Sequence, residues 1–182
     1  MKGPQNAGKN RVFDFVIGAG SNLGARSDNL ALGLSRVSAL PELELRALSR
    51  VFETEPVGPP QPHYLNAAIR VSTPLDALAL LDRLLAIEVA LGRVRDVRWG
   101  PRTLDLDVLW SDQPVQHARL HVPHPHLHER TFALAPLLDV APDLGAVYAP
   151  LLERLGGAPE VWGALHRRAG GVTCEPMRSV VV

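Results

Sequence analysis

Arg93-Val94-Arg95-Asp96-Val97-Arg98-Trp99-Gly100-Pro101-Arg102-Thr103-Leu104-Asp105-Leu106-Asp107-Val108-Leu109-Trp110 runs from four arginines in ten positions straight into an alternating segment. From Leu104 onward apolar residues alternate with Asp105 and Asp107, so a strand here puts both carboxylates on one face. Their Cα atoms then lie roughly 6–7 Å apart, near enough for both side chains to hold one or two hard cations. Arginines beside such a pair suit polyphosphate chemistry, in which charge builds on the oxygens of the group in transfer. The same pattern also describes an edge strand with one solvent face and a salt-bridging loop. Periodicity alone leaves both readings open.

Working outward, Thr103 to Trp110 is the fourth of four expected strands. Val12 to Gly18 is apolar and bounded by glycines, a buried first strand. Ser27 or Asp28 can cap a helix through about Leu40, with Leu30, Leu34 and Val37 on one face and Pro41 as its stop. Leu43 to Phe52 alternates as a second strand, and Tyr64 to Ser72 as a third. Between them, Pro56, Gly58, Pro59, Pro60 and Pro62 forbid regular pairing and mark residues 53–63 as a loop. Thr73-Pro74 predicts a cap and first turn for a helix over Leu75 to Leu91, ended by Gly92. The order β-α-β-β-α-β is the split βαβ, ferredoxin-like arrangement: an α+β fold with helices layered on an antiparallel sheet. Glu129 to Leu138 and Pro150 to Leu155 read as two further helices. One domain over 12–160 is expected, with residues 1–11 and 170–182 as flexible tails; Val180 to Val182 could add to a sheet edge.

At 182 residues the chain can bury roughly 70% of its unfolded surface. Basic and acidic residues both total 19, which gives no net field for nucleic acid or an anionic membrane. No apolar run approaches the ~20 residues of a membrane span, and the polar start lacks a signal-peptide core. The single cysteine, Cys174, excludes an internal disulfide and fits a reducing, cytoplasmic setting.

Gly18-Ala19-Gly20-Ser21-Asn22-Leu23-Gly24 invites a dinucleotide-binding reading, but the third glycine falls one residue late for G-x-G-x-x-G. A tight strand-to-helix turn is the simpler expectation. Five of seven histidines fall between His117 and His128, in a proline-broken segment without the cysteines of closed zinc sites. His124 alone suits phosphate hydrogen bonding. Trp99 beside Arg98, and Phe132 near Arg130, place flat side chains next to cations, an arrangement that can sandwich a planar heterocycle. Tyr64 and Asn66 share one strand face, and an asparagine offers a ring both a donor and acceptors.

Taken together, Ser21-Asn22-Leu23-Gly24, Thr54-Glu55-Pro56-Val57-Gly58, Gln61-Pro62, Tyr64-Leu65-Asn66, Glu88, Gly92-Arg93, Trp99 to Asp107, Pro123-His124 and Arg130-x-Phe132 resemble the 6-hydroxymethyl-7,8-dihydropterin pyrophosphokinases of folate biosynthesis. The likeness covers roughly residues 12–160. It implies an ATP-dependent diphosphotransferase that moves the β,γ-pyrophosphoryl group of ATP to the pterin hydroxymethyl oxygen and releases AMP. By the resemblance, Asp105 and Asp107 bind magnesium, with two ions expected, and Arg93 and Arg102 carry the catalytic charge. Thr54, Val57, Tyr64, Asn66, Trp99 and Phe132 take the pterin; Glu88, Arg95, Arg98, His124 and Arg130 take ATP. Neither nucleic acid nor membrane is an expected partner, and a monomer or weak homodimer is expected. Departures from the family pattern are a short loop at Pro59-Pro60, only Asp96-Val97 between Arg95 and Arg98, and Pro125 after His124 where relatives carry an aromatic.

Three other classes compete. A catalytically silent pterin- or nucleotide-binding protein is disfavoured because both aspartates and Arg93 and Arg102 are present. A phosphohydrolase needs a positioned water and base that the pterin-side residues do not suggest. A glycosidase needs carboxylates that flank a cleft, not two on one strand.

Overall fold

A computed structural model describes residues 11–92 and 100–177 of the chain. β1 (Phe13–Ser21) is apolar on both faces, so it takes the interior of the sheet: Phe15, Ile17 and Ala19 enter one core cluster and Val16 another. α1 (Arg26–Ser38) buries Leu30, Leu34 and Val37 as its spacing predicts. It starts at Ala25 without a side-chain cap, not at Ser27 or Asp28. The expected single strand over 43–52 is two, β2 (Glu44–Leu48) and β3 (Arg50–Thr54), both paired with β4 (Tyr64–Thr73). Ser49 breaks the run because its hydroxyl accepts from Ala68 N (2.8 Å) while its own N–H reaches Ala68 O (3.0 Å). A side chain thus substitutes for a backbone carbonyl, and the strand bulges.

α2 (Ala77–Ala90) is capped by Asp76, whose Oδ1 accepts from Ala79 N at 2.8 Å; Thr73 is the last residue of β4 and not the cap. β5 (Asp105–Ser111) follows, then a short hairpin, β6 (Val115–His117) and β7 (Leu120–Val122), which alternation did not announce. α3 (Thr131–Val140) and α4 (Gly145–Arg154) complete the helices, α4 beginning five residues before its expected start at Pro150.

The antiparallel order β5-β1-β4-β3, with α1 after β1 and α2 after β4, is the ferredoxin-like arrangement expected from sequence. α1 and α2 cover one face; α3 and α4 cover the other with Leu134, Leu137 and Tyr148. The C-terminal segment departs from expectation. β8 (Glu160–Arg168) pairs with β3 and β9 (Gly171–Pro176) with β8, so residues 171–176 of the tail expected over 170–182 are part of the sheet. Ala169-Gly170 is the hairpin turn, Gly171 opens β9 at φ 132°, and Ser35 on α1 locks β9 by accepting from Val172 N at 2.7 Å. Residues 1–10 and 178–182, including the expected leader and the Val180–Val182 edge, lie outside the described residues.

Candidate active site

Registers across the sheet build the site. Asp105 on β5 stands opposite Gly20 on β1, which stands opposite Asn66 on β4; Asp107, Gly18 and Ala68 form the next such row. Residues in one row point to one face, so the two glycines leave an open strip between the carboxylates and the polar end of β4. A Cβ on Gly20 would come within 3.2 Å of Asn66 Oδ1 and 3.6 Å of the Tyr64 ring, and one on Gly18 within 2.9 Å of Leu109. The glycine run is therefore the floor of a trough rather than the expected tight turn, which starts only at Asn22. The trough encloses about 380 Å³, a volume suited to a small ligand.

At one end lie Tyr64, Asn66, Thr54 and Val57, with Phe132 on the α3 side. Asn66 Nδ2 donates to Thr54 Oγ1 at 2.7 Å, which fixes how the amide faces the floor. Arg130 sits with its guanidinium carbon 5.6 Å from the Phe132 ring centroid. At the other end are Asp105, Asp107, Arg102, His124 and Arg130. Arg102 Nη1 meets Asp105 Oδ1 at 2.6 Å. Burial opposes charge on Arg102, but the nearby Asp105, Tyr64 and Asp107 outweigh it and raise its pKa further. Arg102 is a permanent cation at this site.

His124 is held by its backbone N–H to Leu109 O (2.9 Å), and its Nδ1 accepts from His126 N at 3.2 Å. That bond places the ring proton on Nε2. Burial first, then the charges of Arg130 and His126, push the pKa down to about 4 against a partial pull from Asp105. At neutral pH His124 is an uncharged N–H donor. Because its folded pKa lies below the unfolded value of ~6.5, the unfolded chain takes up the proton first as pH falls. Stability from this residue is therefore intact above about pH 6.5 and declines from there toward about pH 4. His124→Gln should flatten the melting temperature across that window, as read by thermal melts at stepped pH.

Asn22 carried no expected role of its own. Only 2% exposed, it accepts from Arg102 N with Oδ1 (2.7 Å) and donates from Nδ2 to Gln61 Oε1 (2.9 Å) and Pro62 O (3.1 Å). One side chain thus ties the 55–63 loop to the segment that carries Arg102. Asn22→Ala strands those partners and should cost about 1–3 kcal/mol, seen as a lower melting temperature. His126, Glu55 and Leu109 also line the trough and were not singled out. Its place in Ser21-Asn22-Leu23-Gly24, one of the stretches that carry the family resemblance, was the available signal for Asn22, and cross-strand neighbours cannot be read from local sequence.

One residue of the expected ATP set does not line the trough. Glu88, 1% exposed, is absent from the trough wall; its Oε1 accepts from Leu106 N at 2.7 Å behind the aspartates. The acid sits on the buried stripe of α2, where its Oε1 serves a backbone N–H. Arg93, Arg95, Arg98 and Trp99 lie outside the described residues.

Two adjacent carboxylates, an arginine and a neutral histidine at one end, with aromatic and amide groups at the other, form a layout that suits transfer of phosphoryl-type groups to a flat heterocycle. The model of 7,8-dihydro-6-hydroxymethylpterin-pyrophosphokinase matches residues 16–142, and the chain belongs to that family. Among its relatives, the Pseudomonas aeruginosa 2-amino-4-hydroxy-6-hydroxymethyldihydropteridine pyrophosphokinase is 46% identical over 130 residues, 70% of this chain and 80% of that one. The Haemophilus influenzae protein of the same name is 42% identical over 135 residues, 73% and 84% of the two chains. The fold matches crystal structures of Plasmodium falciparum HPPK-DHPS: the wild type with pteroate has a TM-score of 0.60 at 12% identity, over 80% of this chain. The match takes in 43% of that longer chain, so the present chain spans less than half of it.

Proposed function

We infer that the trough carries out the reaction for which its family is named. The β,γ-pyrophosphoryl group of ATP passes to the hydroxymethyl oxygen of 6-hydroxymethyl-7,8-dihydropterin, AMP departs, and the product feeds folate biosynthesis. The observation that carries the residue assignment is the row Asp105–Gly20–Asn66, which sets carboxylate and amide on either side of a strand with no side chain between them. The pterin ring fits the Asn66 end, between Tyr64 and Phe132, with Thr54 and Val57 at its edge. ATP phosphates fit the Asp105 end, beside Arg102, His124 and Arg130.

The donor set suits magnesium. Two hard carboxylates share one face, and among the described residues no third acidic, histidine or cysteine ligand joins them. Magnesium commonly takes one or two carboxylates and completes its octahedron with water and substrate phosphates. Asp105 and Asp107 would therefore hold it together with ATP, two ions being our proposal. Bound there, it would neutralise the triphosphate and polarise the transferring group.

The chain's own groups do the rest. Loose phosphoryl transition states demand positioning and charge stabilisation more than covalent chemistry. Arg102, paired with Asp105 at 2.6 Å, would be free to face the phosphates were that carboxylate to hold the cation. His124 donates its Nε2–H to a phosphate oxygen. Asn66 aligns the pterin so that its hydroxymethyl oxygen faces the ATP end. Arg93 is proposed to add catalytic charge at the phosphates, Arg95 and Arg98 to bind ATP, and Trp99 to take the pterin.

One chain furnishes both ends of the trough, so we propose a monomer or weak homodimer. Among the described residues no single helix is long and apolar enough to cross a membrane. A cytoplasmic location is proposed; burial first, then Asp28 and Glu175, push the Cys174 thiol up to about 11 and keep it unreactive. The test is AMP release from ATP, with and without pterin, in magnesium and then in chelator. AMP that needs both supports the reading, whereas ADP release independent of pterin contradicts it.

A further inference from the structure

We propose that Glu88 is a positioning residue for the carboxylate pair, acting through the backbone of β5 without touching substrate. The inference rests on the reading of Asp105 and Asp107 as holders of the cation that accompanies ATP. Among the described residues β5 ends the sheet: one edge pairs with β1 and no strand lies beside the other. An open edge leaves backbone N–H and C=O groups that must find partners elsewhere. Two contacts meet this need. His124 N donates to Leu109 O at 2.9 Å, and Glu88 Oε1 accepts from Leu106 N at 2.7 Å.

Leu106 lies between the two aspartates, with its own side chain buried in the core beneath α1 and α2. Fixing its N–H fixes the peptide plane that joins it to Asp105, and with it the directions in which both carboxylates leave the strand. Glu88 is poorly suited to any purely packing role. It continues the buried stripe Leu80-Leu84-Glu88 at helical spacing, where a leucine would fill the space without the cost of desolvating a carboxylate. A leucine would also leave Leu106 N–H without its acceptor.

E88Q keeps an oxygen acceptor of the same reach, while E88M keeps the volume and loses it. The probe is Mn2+ binding by electron paramagnetic resonance, measured on each protein with a non-hydrolysable ATP analogue. Outer partners of metal ligands typically matter by 10–100-fold in affinity, so E88M should bind Mn2+ about tenfold more weakly and E88Q within about twofold of wild type. Pterin affinity, read by ligand fluorescence, should change in neither, which separates a displaced carboxylate pair from a damaged fold.

Wild-type Mn2+ affinity in E88M, or an equal loss in E88Q, would overturn the proposal. D107N serves as the reference: if it too bound Mn2+ like wild type, the carboxylate-pair reading itself would fall. Amide exchange covers the case in which E88M does not fold. Leu106 N–H should be protected in wild type and in E88Q, and rapid exchange there in the wild-type protein would contradict the clamp.

Discussion

Asp107→Ala is expected to lower turnover by about 10³-fold, equivalent to ~4 kcal/mol of lost transition-state stabilisation. The residue faces the trough opposite Gly18 and contributes to neither core cluster, so the loss should be chemical and not structural. Removing one of two neighbouring carboxylates also relieves like-charge repulsion, so the melting temperature should hold or rise slightly. Steady-state AMP release and a thermal melt on the same preparation check both halves. Normal turnover by a folded variant would remove Asp107 from the metal site.

Arg102→Ala should separate binding from catalysis. A charge aimed at phosphates in transfer is worth about 10²–10³ in kcat when lost, whereas pterin affinity should stay near wild type because the ring is held at the other end of the trough. The ion pair adds a second effect of opposite sign. With Arg102 gone, Asp105 loses the cation at 2.6 Å, so Mn2+ binding to the free enzyme should tighten while turnover falls. Equilibrium Mn2+ titration against kcat makes the comparison. A loss of pterin affinity with unchanged kcat would put Arg102 on the wrong substrate.

Much of this arrangement was legible in the chain. Alternation at Asp105 and Asp107 announced a shared face, and the structure places both in the trough wall. The order of strands and helices was readable from Pro41, Gly92 and the proline-rich loop. The sheet order follows from that succession. What escaped reading involves partners distant in sequence. Gly18 and Gly20 looked like a turn because Leu109 and Asn66, the neighbours that require small residues there, come from other strands. Leu43 to Phe52 looked like one strand because the Ser49 hydroxyl bond to Ala68 N has no local signature. Gly170-Gly171 looked like the start of a tail, since a hairpin turn and a frayed end share their composition. For Glu88, similarity supplied a position but no direction: the side chain turns to Leu106 N, not to the trough.

The fate of the β phosphorus of ATP tests the central claim most directly. ATP labelled at that atom is mixed with 6-hydroxymethyl-7,8-dihydropterin, magnesium and enzyme, and the products are separated. The trough as described should deliver the label into a pterin diphosphate ester and leave unlabelled AMP. Label retained in ADP, with a pterin monophosphate or free orthophosphate beside it, would mean that only the γ-phosphoryl group moves, and the assignment of the trough to pyrophosphoryl transfer would be wrong.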